Sequence, residues 1–181
     1  MRINHSYKKI IFCCIATCLI FFSFSSRSYA QDVNYKAYSV YIYNFIKYIE
    51  WPEDTKKGEF VIAIIGDSPI INELRVLAAS KKANGQNIVI KQYATIEEVE
   101  KCQILYICSS KSSMLKKAIE KTKNMPALLI AEREGLAKKG AGINFVTLED
   151  ETLKFEVNQK AIEAHNLKIP HVLVELGLIV G

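Results

Sequence analysis

Histidine and cysteine side chains are the usual carriers of nucleophilic and metal chemistry, and this chain of 181 residues has few of them. Beyond residue 30 only His165, His171, Cys102 and Cys108 remain. None lies in a G-x-S-x-G nucleophile motif or an H-E-x-x-H zinc motif. Two isolated histidines near a C-terminus are typical of surface or capping residues. We therefore predict no catalytic residue, no metal and no cofactor, which favours a binding protein.

The two cysteines bracket the apolar run QILYI. A strand rises ~3.3 Å per residue and would hold them ~20 Å apart, beyond the reach of a disulfide. We predict two free thiols. An intermolecular disulfide stays open for a cysteine that is exposed.

Two glycine-containing segments share features with phosphate-binding loops. Residues 135–142 (GLAKKGAG) lack the dinucleotide spacing and lead into a strand, so we interpret them as a turn. Residues 66–69 (GDSP) follow a strand and open a helix, where free N–H groups could hold an anion, although Asp67 would repel it. We interpret this segment as a plain β-to-α turn.

Residues 1–30 have the order of an export signal. A basic start precedes an apolar run over residues 10–24, and residues 28–30 (SYA) supply the small residues that signal peptidase requires at alternate positions. The run is shorter than the roughly 20 apolar residues of a membrane-spanning helix. We predict a cleaved secretory signal peptide over residues 1–30 and a single exported domain over residues 31–181.

Removal of that signal changes the charge of the chain. Four of the 24 basic residues and none of the 19 acidic ones lie in residues 1–30, so 20 basic residues face 19 acidic ones in the mature domain. A nearly neutral domain does not favour nucleic acid or an anionic membrane surface as a partner.

Short apolar runs alternate with amphipathic stretches along the mature sequence. Runs at residues 60–65, 88–93, 103–107 and 127–131 are typical of parallel strands covered on both faces. Residues 143–148 and the alternating Leu153, Phe155 and Val157 predict an appended β-hairpin. The predicted fold is α/β: a three-layer, Rossmann-like or flavodoxin-like domain. Its mixed sheet is mostly parallel, with a C-terminal β-hairpin and helices on both faces.

Capping signals predict the helices. Ser68-Pro69, a capping box at residues 95–98 (TIEE) and Ser109-Ser110 each precede an amphipathic stretch. Asn158 is predicted to cap a helix that runs to His165, and Pro170 to begin a last helix to about Ile179.

The segment 43–52 (YNFIKYIEWP) closes the first helix and contains the only tryptophan. A helical wheel places Phe45 on the apolar face and Asn44 on its border. Pro52 disfavours a helical conformation at Trp51, so the helix is predicted to end there, with the indole packed at the junction to the first strand. Stacking of Trp51 on a ligand, or its contact with a partner, is the alternative.

Taken in order, these motifs resemble the YfiR-like family of periplasmic regulators. The resemblance covers residues 35–178 and rests on the segments 43–45 (YNF), 51–52 (WP), Gly66, 102–107 (CQILYI), 142–145 (GINF), 155–158 (FEVN) and 167–169 (LKI). Its structural motif residues here are Asn44, Phe45, Trp51, Pro52, Phe155 and Asn158.

The resemblance implies regulation rather than catalysis. The best understood members of the family resemble soluble periplasmic inhibitors. Such an inhibitor binds the periplasmic sensor domain of an inner-membrane diguanylate cyclase and holds the enzyme inactive. Sequestration of the inhibitor by an OmpA-like outer-membrane lipoprotein would then raise cyclic di-GMP and promote biofilm formation. The same analogy implies a homodimer.

Glu156, Lys168 and His171 are our candidates for partner contacts, because the end of the hairpin and the start of the last helix are expected to meet at one surface. The alternative function is a periplasmic small-molecule binding or sensor module in which Trp51 stacks on the ligand. An enzyme is a third hypothesis, and it lacks a nucleophile or metal set in the sequence.

Overall fold

Eight strands, five α-helices and two short 3-10 helices make up residues 33–181, the part of the chain that this computed structural model describes. The strands are β1 (Phe60–Ile65), β2 (Lys82–Ala83), β3 (Gln86–Tyr93), β4 (Ile104–Ile107), β5 (Leu128–Ala131), β6 (Ile143–Thr147), β7 (Leu153–Val157) and β8 (Leu178–Ile179). The helices are α1 (Tyr35–Tyr48), α2 (Ile70–Ser80), α3 (Leu115–Thr122), α4 (Gln159–Glu163) and α5 (His171–Leu176). The 3-10 helices are Glu53–Thr55 and Ser109–Met114.

The strands form one sheet in the order β2-β3-β1-β4-β5-β6-β7-β8. β3, β1, β4, β5 and β6 are parallel, whereas β7 is antiparallel to β6 and β2 to β3. β1 is an interior strand between β3 and β4, with Phe60 opposite Ile88 on one side and Ile62 opposite Ile104 on the other. All of its residues are buried, which accounts for its continuous apolar sequence. The predicted α/β class, with a mostly parallel sheet and the hairpin β6–β7, is confirmed.

α1 crosses the face of the sheet that carries Phe145 and Phe155. The ring of Tyr38 stacks on Phe145 with 4.1 Å between centroids, and Phe45 meets Phe155 edge to face at 5.1 Å. The apolar face predicted by the wheel is buried. α2 packs against α1 on this side of the sheet.

The opposite face carries a second apolar cluster. Val61, Leu105 and Leu129, from the central strands, pack there with Leu115 and Ala118 of α3. Because helices cover both faces, the predicted three-layer arrangement is confirmed.

The helix expected after residue 95 is absent from the described residues. One half of its capping box forms, since the carboxylate of Glu98 accepts the backbone N–H groups of Ala94 and Thr95 at 3.1 and 3.5 Å. β4 starts at Ile104, however, and the intervening turns leave too little chain for a stable helix. The prediction of a helix was therefore wrong, although Glu98 makes the backbone contact expected of it.

The two C-terminal helices are shorter than predicted. α4 ends at Glu163, before His165, and α5 ends at Leu176 because Gly177 is extended, with φ −98° and ψ 177°. A Cβ atom at Gly177 would lie 2.6 Å from Val157 Cγ2, so only glycine fits beside β7. The next two residues form β8, which pairs with β7.

The predicted signal peptide lies outside the described residues. Within residues 33–181, no helix combines the length and the apolarity needed to span a bilayer.

Candidate functional site

The C-terminal segment concentrates exposed apolar side chains. Of the eight large apolar side chains that are exposed in residues 33–181, four lie between residues 172 and 179: Val172, Leu176, Leu178 and Ile179. We call these four the C-terminal apolar surface. Val172 and Leu176 are four residues apart on α5 and so share one helix face. Leu178 and Ile179 follow on β8, where successive side chains point to opposite faces of the sheet. Exposed apolar side chains concentrated in one segment mark a candidate interaction site.

Glu156 borders this surface. It lies on β7 with its Cα paired to that of Leu178 in β8. Its carboxylate accepts a hydrogen bond from Nδ2 of Asn144 at 2.9 Å. Asn144 is fully buried, and its Oδ1 is the one buried side-chain oxygen or nitrogen without a hydrogen-bond partner in the described residues. Glu156 is half-buried, and the hydrogen bond from Asn144 holds its carboxylate in place beside the C-terminal apolar surface.

Lys168 and His171 flank the start of α5. Lys168 forms a backbone bridge with Glu50, and its ammonium lies 3.8 Å from the Glu50 carboxylate. Nδ1 of His171 lies 3.3 Å from the carboxylate of Glu175, one turn further along the helix. Both side chains are 82% exposed, so these two contacts are weak and can yield to a partner. Within the described residues neither side chain forms a hydrogen bond or ion pair with Glu156, which lies near β8.

Trp51 is buried where α1 leads into β1, with 6% of its surface exposed. Its indole Nε1 donates to the carbonyl of Ile46 at 3.1 Å, and its ring meets Phe60 edge to face at 5.1 Å. Pro52 follows in an extended conformation. These contacts occupy both the polar and the apolar parts of the indole, which leaves little of the ring for a ligand.

Asn158 joins three parts of the chain. Its Oδ1 accepts the N–H of Ala161 at 3.0 Å and caps α4, while its Nδ2 donates to the carbonyl of Ala137 at 2.8 Å. Its own N–H donates to Gly142 at 2.9 Å. Phe155, on the same strand end, is buried under α1. Of the other motif residues, Asn44 is half-buried on α1 beside the buried Phe45.

A polar cluster that the sequence did not predict lies at the carboxyl ends of the central strands. Glu132 follows β5, and its carboxylate accepts the hydroxyl of Tyr106 at 2.6 Å and the N–H of Ser109 at 2.7 Å. Burial raises the pKa of Glu132 against the opposing effect of these hydrogen bonds. Burial, with the charge of Glu132, also raises the pKa of Tyr38 to about 12. The only sequence signal was an acidic residue directly after an apolar strand.

Both cysteines are buried and free, as predicted. Burial raises the pKa of each thiol to about 12, with the charges of Glu132 and Asp67 adding to the effect at Cys108. A thiol of this kind is protonated at neutral pH and is a poor nucleophile. The cluster around Glu132 is therefore a partly buried hydrogen-bond network in which the neighbouring Cys108 is not an activated nucleophile.

The two histidines differ in their surroundings. His165 is not a surface residue: it is 7% exposed, and its Nδ1 lies 3.1 Å from the carbonyl of Met125. His171 is exposed on α5. Across residues 33–181, no group of three or more histidine, cysteine, aspartate or glutamate side chains is placed to hold a metal ion.

The fold defines an α/β protein that exposes four large apolar side chains in its C-terminal segment. A sequence model of the YfiR/HmsC-like family matches residues 35–177, and the chain belongs to that family. The family is one of periplasmic, non-catalytic regulators acting on diguanylate cyclases. No curated protein matches the chain.

Proposed function

We propose that this protein represses an inner-membrane diguanylate cyclase by binding the periplasmic sensor domain of that enzyme. Repression would lower cyclic di-GMP in the cytoplasm and restrain biofilm formation. The observation that supports this function is the C-terminal apolar surface, on a chain that belongs to a family of periplasmic regulators.

The composition of this region is that of a protein interface. Val172 and Leu176 are 58% and 57% exposed, and Ile179 is 67% exposed. Lys168 supplies a charged group beside them, and His171 supplies a polar one. An apolar centre with a polar rim is the usual anatomy of an interface, in which the centre contributes most of the binding free energy.

The outer edge of β8 adds a second means of contact. β8 is the last strand of the sheet in the described residues, and its one neighbour is β7. An open strand edge can pair with an extended segment of another protein. We therefore expect backbone hydrogen bonds along β8 in addition to side-chain contacts.

Repression by binding needs no chemistry in this protein. An inhibitor that binds the inactive cyclase more tightly than the active one shifts the population by the difference in binding free energy. A shift from 99% active to 99% inactive requires a preference of roughly 10⁴-fold. We propose that an OmpA-like outer-membrane lipoprotein relieves the repression by competing for the same surface.

Capture from an envelope extract tests the proposal. The mature protein is immobilised beside a Leu176→Asp/Ile179→Asp variant and a Val76→Asp control, which places the same charge on an exposed position of α2. We expect wild type and control to retain a membrane-bound diguanylate cyclase. The double variant should bind its periplasmic domain about 30-fold more weakly, since a central interface side chain contributes about 2 kcal/mol or more.

Two outcomes would contradict the proposal. One is an extract in which neither a cyclase nor an OmpA-like lipoprotein is retained. The other is equal retention by wild type and the double variant, which would place the contact elsewhere on the protein. Cellular cyclic di-GMP, measured after deletion of the gene, should rise if the captured cyclase is repressed.

A further inference from the structure

A cleft of about 570 Å³ lies between the start of α3 and the loop that joins β5 to β6. The loop side includes residues 135–142, the glycine-rich segment interpreted above as a turn. Four backbone hydrogen bonds hold this loop together, among them Gly140 N–H to the Ala137 carbonyl at 3.0 Å and Ala141 N–H to the Leu136 carbonyl at 3.0 Å. The volume is in the range of small-molecule sites, and the hydrogen bonds keep the wall in place without a ligand.

Apolar side chains form the base of the cleft. Leu115 and Ile119 come from α3, and Leu136 comes from the loop. Leu115 and Leu136 are almost fully buried, and Ile119 is half-buried. We call these three the apolar floor.

Three cationic side chains surround the floor. Lys116 belongs to α3, and Arg133 and Lys139 belong to the loop. We call them the cation rim. All three are exposed, and within residues 33–181 none of them forms an ion pair. Glu134 is the one acidic residue that lines the cleft, which leaves a net charge of two positive at its mouth.

The guanidinium of Arg133 is positioned by a hydroxyl group. Its Nη1 donates to Oγ of Ser112 at 2.8 Å, and Ser112 is 8% exposed. Because a guanidinium has five N–H donors, four are left to meet an anion in the cleft. The O–H of Ser112 can itself donate to that anion.

We propose that this cleft binds a small organic anion, with its acidic group on the cation rim and its apolar part on the apolar floor. The acidic group is a carboxylate or a phosphate, since a planar guanidinium with two ammonium groups suits either. The site shares no residue with the C-terminal apolar surface, and the proposal does not rest on the function proposed above.

Titration of the mature protein with simple probes tests the proposal. Phenyl phosphate and phenylacetate each combine an acidic group with an apolar ring, whereas inorganic phosphate and phenol supply the two parts separately. We expect the combined probes to bind at least about tenfold more tightly than either part. In ¹⁵N-labelled protein, the amide signals that move should be those of residues 112–116 and 136–139.

Two variants separate the cation rim from general charge effects. Arg133→Met keeps the aliphatic part of the side chain and removes the guanidinium, and it should weaken phenyl phosphate binding by about tenfold or more. Lys139→Gln should also weaken it. Lys138→Gln removes the same charge from the adjacent position, which does not line the cleft, and should leave binding unchanged.

Several results would overturn the proposal. One is that neither combined probe binds at a concentration of about 10 mM, which is tenfold above the millimolar dissociation constant of a weak ligand. Another is that the combined probes bind no more tightly than inorganic phosphate. Equal affinity in wild type and Arg133→Met, with the variant still folded by its thermal unfolding curve, would also reject it. Phosphate and carboxylate are distinguished by which combined probe binds more tightly.

Discussion

The carboxyl group of Glu132 is held by two neighbouring elements, through Tyr106 on β4 and Ser109 at the start of the 3-10 helix. Burial raises its pKa above the usual value of 4.5, so the folded state binds this proton more tightly than the unfolded state does. The stabilisation from this site is therefore fully present below the unfolded pKa. It is lost as the pH rises through the folded pKa.

A Glu132→Gln variant should lose this pH dependence. We expect the free energy of unfolding of the wild type, relative to the variant, to fall as the pH is raised from 4.5 towards 7. Urea unfolding at a series of pH values measures the difference. Glu134→Gln removes an exposed carboxyl group nearby and should not reproduce the effect. A wild-type-minus-variant difference that is independent of pH would show that Glu132 titrates normally in the folded protein.

The indole of Trp51 should report its packing directly. Because it is 6% exposed and contacts Phe60, we expect emission at the short wavelengths of a buried indole. Trp51→Ala should lower the free energy of unfolding by about 3–5 kcal/mol. Tyr48→Ala, at the 45% exposed last residue of α1, should cost less than about 1 kcal/mol. A stable Trp51→Ala protein that no longer binds its partner would instead assign the indole to recognition.

These two residues differ in what the sequence could predict. Pro52 acts on the residue next to it, and Trp51 is non-helical as this rule predicts. The end of α1 was predicted too late, however, because α1 ends at Tyr48 and Ile49 is already extended. The environment of Glu132 depends on Tyr106 and Ser109, which are far away in sequence and are brought together only by the pairing of β4 with β5. Local rules carry no information about such a contact.

At the scale of elements, the loop between β5 and β6 depends on glycine at one position more than at another. Gly140 has φ +108°, and a Cβ atom there would lie 2.8 Å from Cδ1 of Ile119 on α3. Gly135 also has a positive φ, of +78°, but a Cβ atom there would have no heavy atom within 4 Å. A side chain at Gly135 would therefore introduce backbone strain alone, whereas a side chain at Gly140 would introduce backbone strain and a steric clash.

We expect Gly135→Ala to cost about 1–2 kcal/mol of unfolding free energy, the usual penalty for a left-handed residue with a Cβ atom. Gly140→Ala should cost about 1 kcal/mol more, because Ile119 must also move. Chemical denaturation of the two variants measures both values. Equal costs would mean that Ile119 moves away freely and that this wall of the cleft is not rigid.

At this scale, the elements that the sequence failed to predict were mainly the shortest ones. β2 and β8 have two residues each, too few for any periodic pattern to appear. Thr95 and Glu98 have the residue types of a capping box, yet only the contact from Glu98 forms and the length of chain before β4 leaves no room for a helix. Long apolar strands such as β1 were predicted well, because burial on both faces requires a continuous apolar sequence.

At the scale of the whole molecule, the C-terminal apolar surface is also where we place the predicted homodimer. Light scattering after gel filtration should give about twice the mass of the mature chain. Leu176→Asp/Ile179→Asp should reduce it to one chain, and Val76→Asp should not. A wild type that is monomeric at tens of micromolar, or a double variant that stays dimeric, would remove the dimer from this surface. If the prediction holds, self-association and cyclase binding compete.

The architecture could be predicted more fully than the sites. Alternation of apolar runs with capping signals sets the α/β class, and the order of motifs sets the family. Surfaces such as the cation rim depend on loops whose paths are determined by packing against residues distant in sequence. Residue types alone therefore placed Lys139 in a turn but did not predict that it lines a cleft.

The bridge between Glu50 and Lys168 joins the first helix to the segment before the last one. β8, formed by the final residues, completes the sheet only by pairing with β7. Glu50 and Lys168 lie far apart in sequence, and contacts of such separation slow folding. A chain that has not yet been completed lacks both the bridge and β8. If the chain is exported as predicted, slow closure of the fold would favour translocation over premature folding in the cytoplasm.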